Sequence, residues 1–270
     1  MNNKPIGVFD SGLGGLTAVR EIKKIMPNED IIYFGDTGRV PYGTRSKDTI
    51  IKYTKQDINF LKSHNIKAIV VACGTVSSVA LDEVADDYDI PIIGVVKPTV
   101  NAAITGQKNQ RIGIIGTTST IKSGSYSRLI KQISDEKDLN IKTFARDCPL
   151  FVPLVENGRF SRDDAVTKLV VEEYLNEIKS QNVDTLILGC THYPLLAEII
   201  GDYLGKNVRL IDPGKVTAEY IAQNFEKCEP KNATHNYYVT DDVQSFTKNA
   251  KTFLGEEIFD KTDLIDILEY

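Results

Sequence analysis

Residues 61–73, LKSHNIKAIVVAC, align without a gap on residues 178–190, IKSQNVDTLILGC, so that Lys62 meets Lys179, Ser63 meets Ser180, Asn65 meets Asn182 and Cys73 meets Cys190 at a constant offset of 117 positions. A second pair, IGVFDS (residues 6–11) and IGIIGT (residues 112–117), repeats in the same order at an offset of 106. Each long copy is the tail of a helical segment, an apolar strand, and then a thiol. Two half-proteins of one α/β design explain this better than chance similarity between apolar strands. Duplication also places the two cysteines at equivalent strand ends.

The rest of the chain has the same texture. PIGVFD, DIIYFGD, KAIVVAC, PIIGVV, RIGIIG, NIKTFA, DTLILGC and VRLID read as short, nearly continuous apolar strands. GLTAVREIKKIM, KDTIIKYTKQDINFLKSHN, SSVALDEVADDY and SRDDAVTKLVVEEYLNEIKSQ carry helical spacing between them. The last of these predicts an N-cap at Ser161 with carboxylates in the first turn. Apolar strands alternating with helices mean parallel sheets covered on both faces. The expected fold class is α/β: two similar domains with parallel sheets flanked by helices, related by a pseudo-two-fold axis, with a cleft between them. In open parallel sheets a ligand sits beyond the carboxyl ends of the strands, where both cysteines fall.

The bulk properties narrow the function. The 270 residues are 41% hydrophobic and 26% charged, as in an ordinary globular protein. A net charge of −5 disfavours general nucleic-acid binding, because no large face can be basic without a counterweight. No apolar run reaches the roughly 20 residues that cross a bilayer, so no membrane partner is expected. The opening MNNKPIGVFDSG lacks an apolar leader segment, which makes a cytoplasmic location the expectation. Cys73, Cys148, Cys190 and Cys228 contain no Cys-x-x-Cys pair and are expected as free thiols, not zinc ligands. Cys148 and Cys228 have no partner by motif and read as structural.

Six stretches carry chemistry. FDSGLGG ends the first strand with Asp10 and Ser11 and opens a helix through glycines. It is neither a dinucleotide fingerprint nor a phosphate loop, and an acid at its mouth suits an ammonium group. GDTGRVPYG presents Pro41, Tyr42 and Gly43 in a loop after the second strand. VACGTVSS sets Gly74 and Thr75 directly after Cys73, and GTTSTI offers Thr117 as the second half's counterpart of the Asp-Ser loop. GCTHYP places Cys190, Thr191 and His192 in a row, with one of only three histidines two residues from a thiol. PLVENG adds Glu156, which as a bare motif is equally a solvated loop acid. A metal site is not expected from two cysteines and one histidine without a further spaced ligand.

FDSGLGG, VPYG, VACGTVSS, LVENG and GCTHYP in this order resemble the bacterial glutamate racemase family, within the cofactor-independent aspartate/glutamate racemase superfamily. The resemblance runs from Ile6 to about Asp212. It implies that Cys73 and Cys190 are the two catalytic acid/bases, with Asp10, His192 and Glu156 as auxiliaries. Substrate-binding positions implied are Asp10, Ser11, Pro41, Tyr42, Gly43, Gly74, Thr75, Thr117, Thr191 and His192. It further implies a second domain (98–210) inserted into a first (1–97 with 211–270), no cofactor, a homodimer, and D-glutamate made for peptidoglycan. The family more often has Asn where this chain has Gly74.

The chemistry wants these residues. Inverting an amino-acid centre needs a base on one face of Cα and an acid on the other. A thiol with an ordinary pKa of roughly 8.5 can serve as either near neutral pH. Amides and hydroxyls must then stabilise the charge developing next to the α-carboxylate. Alternatives from the same residues are a racemase for aspartate, a thiol hydrolase using one cysteine with His192 as base, and a two-lobed binding module. The paired cysteines disfavour the last.

Overall fold

The computed structural model describes residues 2–104 and 109–270. Among the described residues ten strands are formed: β1 (Ile6–Asp10), β2 (Ile31–Gly35), β3 (Ala68–Val71), β4 (Ile92–Gly94), β5 (Asn109–Gly116), β6 (Asn140–Asp147), β7 (Thr185–Gly189), β8 (Arg209–Ile211), β9 (His235–Val239) and β10 (Thr262–Leu264). They make two sheets, one of six strands in the order β10-β9-β2-β1-β3-β4 and one of four in the order β6-β5-β7-β8. Neighbouring strands pair in parallel throughout both.

The internal repeat survives as topology. β2-β1-β3-β4 and β6-β5-β7-β8 are the same arrangement, and the duplicated sequence segments supply the equivalent strands β1/β5 and β3/β7. β1, β2, β3 and β7 are buried along their whole length. Strands covered on both faces have no polar side to alternate with, hence their unbroken apolar runs. Helices fill both faces. Pro213–Asn224 carries the chain back from β8 to the first sheet, with Gly214 against Ala18 of the Leu16–Ile25 helix; a Cβ on Gly214 would lie 3.0 Å from the Ala18 Cα. One apolar cluster extends across the two sheets, from Val8 and Tyr33 to Leu188 and Tyr193.

Two local expectations are corrected. The N-cap expected at Ser161 is Asp164: the helix runs Ala165–Ser180, the Asp164 carboxylate accepts from the Thr167 amide at 2.8 Å, and no acid lies in its first turn. Residues 161–164 form a turn, in which the Asp164 amide donates to the Ser161 carbonyl, so Asp164 is the last extended residue and takes the cap. SSVALDEVADDY is not one helix. It breaks at Ala80 into Gly74–Val79 and Leu81–Val84, the first piece pinned by Ser77, whose hydroxyl donates to the Val71 carbonyl and accepts from the Val95 amide. After Lys215, β9 and β10 extend the first sheet from its β2 edge. No helix among the described residues is long and apolar enough to cross a membrane.

Candidate active site

The two duplicated strands end beside one another. Cys73 follows β3 as the N-cap of the Gly74–Val79 helix, and Cys190 follows β7 at the entry to a short turn, Tyr193–Leu196. Both thiols are nearly buried and line one cavity of about 350 Å³. Ser11, Pro41, Tyr42, Gly43, Gly74 and Thr75 reach its wall from the first sheet. Thr117, Glu156, Thr191 and His192 reach it from the second. No lysine or arginine lies on this wall among the described residues. Carboxylates entering it would therefore meet hydroxyls, backbone amides and one imidazole.

The thiols stand in different fields. Cys73 Sγ lies 3.7 Å from Ser11 Oγ. Burial first, and the Asp10 carboxylate second, push its pKa up to about 12. On the other side, His192 Nδ1 lies 3.9 Å from Cys190 Sγ and Nε2 lies 3.0 Å from Glu156 Oε1. Burial alone would pull the His192 imidazolium down, yet Cys190 and Glu156 outweigh it and push the group up to about 10. At neutral pH one face of the cavity carries the protonated Cys73 thiol and the other the Cys190 sulfur beside an imidazolium.

Cross-sheet hydrogen bonds tie the cavity rim. Thr75 Oγ1 and Thr117 Oγ1 are 2.9 Å apart, Ser119 Oγ donates to the Gly43 carbonyl at 2.7 Å, and Thr17 Oγ1 donates to the Thr191 carbonyl at 3.0 Å. Glycines permit this closeness. A Cβ on Gly14 would lie 2.2 Å from Thr191 Oγ1, and one on Gly74 would lie 2.4 Å from the Gly189 carbonyl oxygen.

The family model for Asp/Glu/hydantoin racemases matches residues 14–221, including both cysteine segments and the cavity wall from Gly14 onward. The chain belongs to this racemase family. Within the family it is 47% identical over 255 residues to a glutamate racemase of Persephonella marina, covering 94% of each chain. A glutamate racemase of Aquifex aeolicus is 45% identical over 253 residues, covering 94% of this chain and 95% of the relative. Among solved structures, glutamate racemase from Francisella tularensis in complex with D-glutamate has a TM-score of 0.89 and 38% identity, covering 100% of both chains.

Of the residues expected at the racemase-family site, the structure gathers all but one on the cavity wall. Asp10 stands behind it at the end of β1, buried, with Oδ2 accepting from the Gly12 amide at 3.1 Å and Oδ1 without a hydrogen-bond partner among the described residues. Burial raises its pKa, partly offset by His192. Tyr42 differs from expectation in direction: its hydroxyl points into the core toward Asp36 and Asp57, so that only the rest of the residue faces the cavity. Leu13, Val40, Thr44, Thr118, Pro149, Val152 and Pro153 also line the cavity and were not foreseen. Single apolar or hydroxyl residues in loops leave no sequence signal. GDTGRVPYG does contain one, since Asp36 and Arg39, the arginine directly before the Val-Pro-Tyr turn, are a pair that could anchor it.

Proposed function

We propose that this chain interconverts L- and D-glutamate without a cofactor, by proton transfer at Cα between Cys73 and Cys190. One observation carries the reading: two thiols from duplicated strands, one from each sheet, line a single small cavity, each with its own polar auxiliaries. In one direction Cys190 removes the α-proton while Cys73, whose pKa is pushed up to about 12, holds the proton to be delivered to the opposite face. In the other direction the roles exchange. Thr75, Thr117 and Thr191 hydroxyls with the loop amides surround the α-carboxylate and stabilise charge as it develops. His192, held by Glu156, keeps a positive charge beside the Cys190 sulfur.

The similarity to glutamate racemases supports glutamate over aspartate as substrate. The same reading includes two domains, 1–97 with 211–270 and 98–210, a homodimer, a cytoplasmic location, and D-glutamate supplied to peptidoglycan. Incubating L- or D-glutamate with the protein in D₂O should introduce deuterium at Cα without added cofactor. Exchange of aspartate and not of glutamate would overturn the substrate.

The array Cys190, His192, Glu156 also has the form of a thiol hydrolase's nucleophile, base and orienter. That second reading gives Cys73 no role. Full turnover by a Cys73→Ser variant, with an acyl-enzyme trapped on Cys190, would favour it.

A further inference from the structure

Behind the Pro41–Thr44 part of the cavity wall lies a buried polar cluster that the proton-transfer chemistry does not use. The Tyr42 hydroxyl is within hydrogen-bond reach of two carboxylates, Asp36 Oδ2 and, at 3.1 Å, Asp57 Oδ2. Both carboxyl groups are wholly buried, as is the tyrosine. Arg39 lies between them: Nε donates to Asp36 Oδ2 at 2.5 Å, Nη2 to Asp57 Oδ1 at 3.0 Å and Nη1 to Gln56 Oε1 at 2.6 Å, and its guanidinium sits 4.1 Å from the Tyr53 ring centre. Thr240 Oγ1 donates to Asp36 Oδ1 at 3.0 Å. Asp10 adds a further negative charge through space.

A phenol has one hydrogen to give. It can donate to one of the two carboxyl groups, so its contact with the other is a hydrogen bond only if that group donates back. Asp36 already accepts from Thr240 on one oxygen and from Arg39 on the other, which makes it the acceptor. Asp57 accepts from Arg39 on Oδ1, leaving Oδ2 as the oxygen that carries a hydrogen toward the phenol. Charge balance agrees: one guanidinium, itself partly exposed, cannot neutralise two wholly buried carboxylates, and an unpaired buried charge is strongly unfavourable. Burial, and after it the neighbouring Asp36, also raise the Asp57 pKa well above the usual carboxylate range.

We propose that Asp57 is a positioning residue, a neutral carboxylic acid that with Asp36 and Arg39 clamps the Tyr42 hydroxyl and so fixes the Tyr42–Gly43 backbone as part of the substrate's seat. The Lys47–Lys62 helix carries Asp57, so the seat is tied to a rigid element across the first sheet's face. Gly43 is held from the other sheet by Ser119, and its amide neighbourhood is thereby fixed from both sides. The seat role rests on the glutamate reading above; the protonation of Asp57 does not.

Infrared spectra at neutral pH separate the two. The wild type minus Asp57→Asn difference should contain a protonated-carboxyl C=O stretch that shifts in D₂O, and its absence overturns the neutral acid whatever the enzyme turns over. In glutamate racemisation, Asp57→Asn should keep KM within about threefold of wild type, because a carboxamide accepts from Arg39 and donates to Tyr42 in the same pattern. Asp57→Leu should raise KM about tenfold with kcat changed less, as expected for losing hydrogen bonds to charged groups away from the thiols. An Asp57→Asn variant as impaired as Asp57→Leu would overturn the proposal. Should Asp57→Leu not fold, Tyr42→Phe removes only the clamped hydroxyl and should also raise KM; an unchanged KM there overturns the clamp.

Discussion

Gly74→Ala tests the closure of the site most sharply. A Cβ built on Gly74 lies 2.4 Å from the Gly189 carbonyl oxygen and 3.3 Å from its carbon, both backbone atoms next to Cys190. Ordinary non-bonded contact is about 3.5 Å, so the two strand ends must separate by about 1 Å. Neither partner is a flexible side-chain tip, and the displacement falls on the thiols themselves. A misplacement of about 1 Å can cost about a hundredfold in rate when reacting groups must be aligned. The overpacking itself costs about 1–3 kcal/mol if the structure absorbs it in place, and less if the cleft opens. We therefore expect kcat for both glutamate enantiomers to fall at least tenfold, by about a hundredfold if the thiols take the whole shift, with only a modest fall in Tm. Initial rates by circular dichroism and Cα deuterium incorporation by NMR would measure it. Gly74→Asn, which installs the residue more usual in the glutamate racemase family, carries the same Cβ and should also fall below wild type. Wild-type kcat and KM in Gly74→Ala would refute the argument that backbone apposition at Gly189 sets the thiol spacing.

Three further outcomes follow from named contacts. Cys73→Ser and Cys190→Ser should each lower racemisation more than tenfold, because in the proposed mechanism each serves one face of Cα; a fully active Cys190 variant would exclude two-sided transfer. His192 is raised in the folded state from 6.5 to about 10, so its protonated form contributes stability in full below about pH 6.5 and loses that contribution as pH rises toward 10; the decline in Tm between about pH 7 and 9 should be steeper in wild type than in His192→Gln. Lys67→Met should destabilise by about 3–5 kcal/mol in urea unfolding, because Lys67 Nζ, 2.5 Å from Glu29 Oε2 with both side chains buried, is the cation compensating that carboxylate.

Much of this molecule is written in short-range pattern. The continuous apolar runs of β1, β3, β5 and β7 identify parallel strands because strands covered on both faces need no polar side. The repeated thiol is legible because duplication carries a strand and its terminal residue together, and the loop residues around Cys73 and Cys190 reach one wall because parallel strands deliver their carboxyl ends to one edge. β9 and β10 were hidden: they are five and three residues long, with only Tyr237 and Val239 buried in β9, too little to register as a pattern. The cap at Asp164 was missed because several capping residues stand in a row in SRDD, and only the backbone turn before the helix selects among them.

Periodicity and duplication are local properties of the chain, and they suffice for two α/β halves with a cysteine at the matching strand end of each. The tertiary structure decided what those residues face. Only the packing of one sheet's loops on the other's places His192 and Glu156 beside Cys190, leaves Asp10 behind Ser11 under Cys73, and turns the Tyr42 hydroxyl away from the cavity into a buried acid pair. It also gives Gly74 its meaning. Along the chain it reads as a missing side chain; across the cleft it is the space that the Gly189 carbonyl occupies. Protonation and reach depend on burial and on neighbours far apart in sequence, and those exist only once the two sheets have closed on each other.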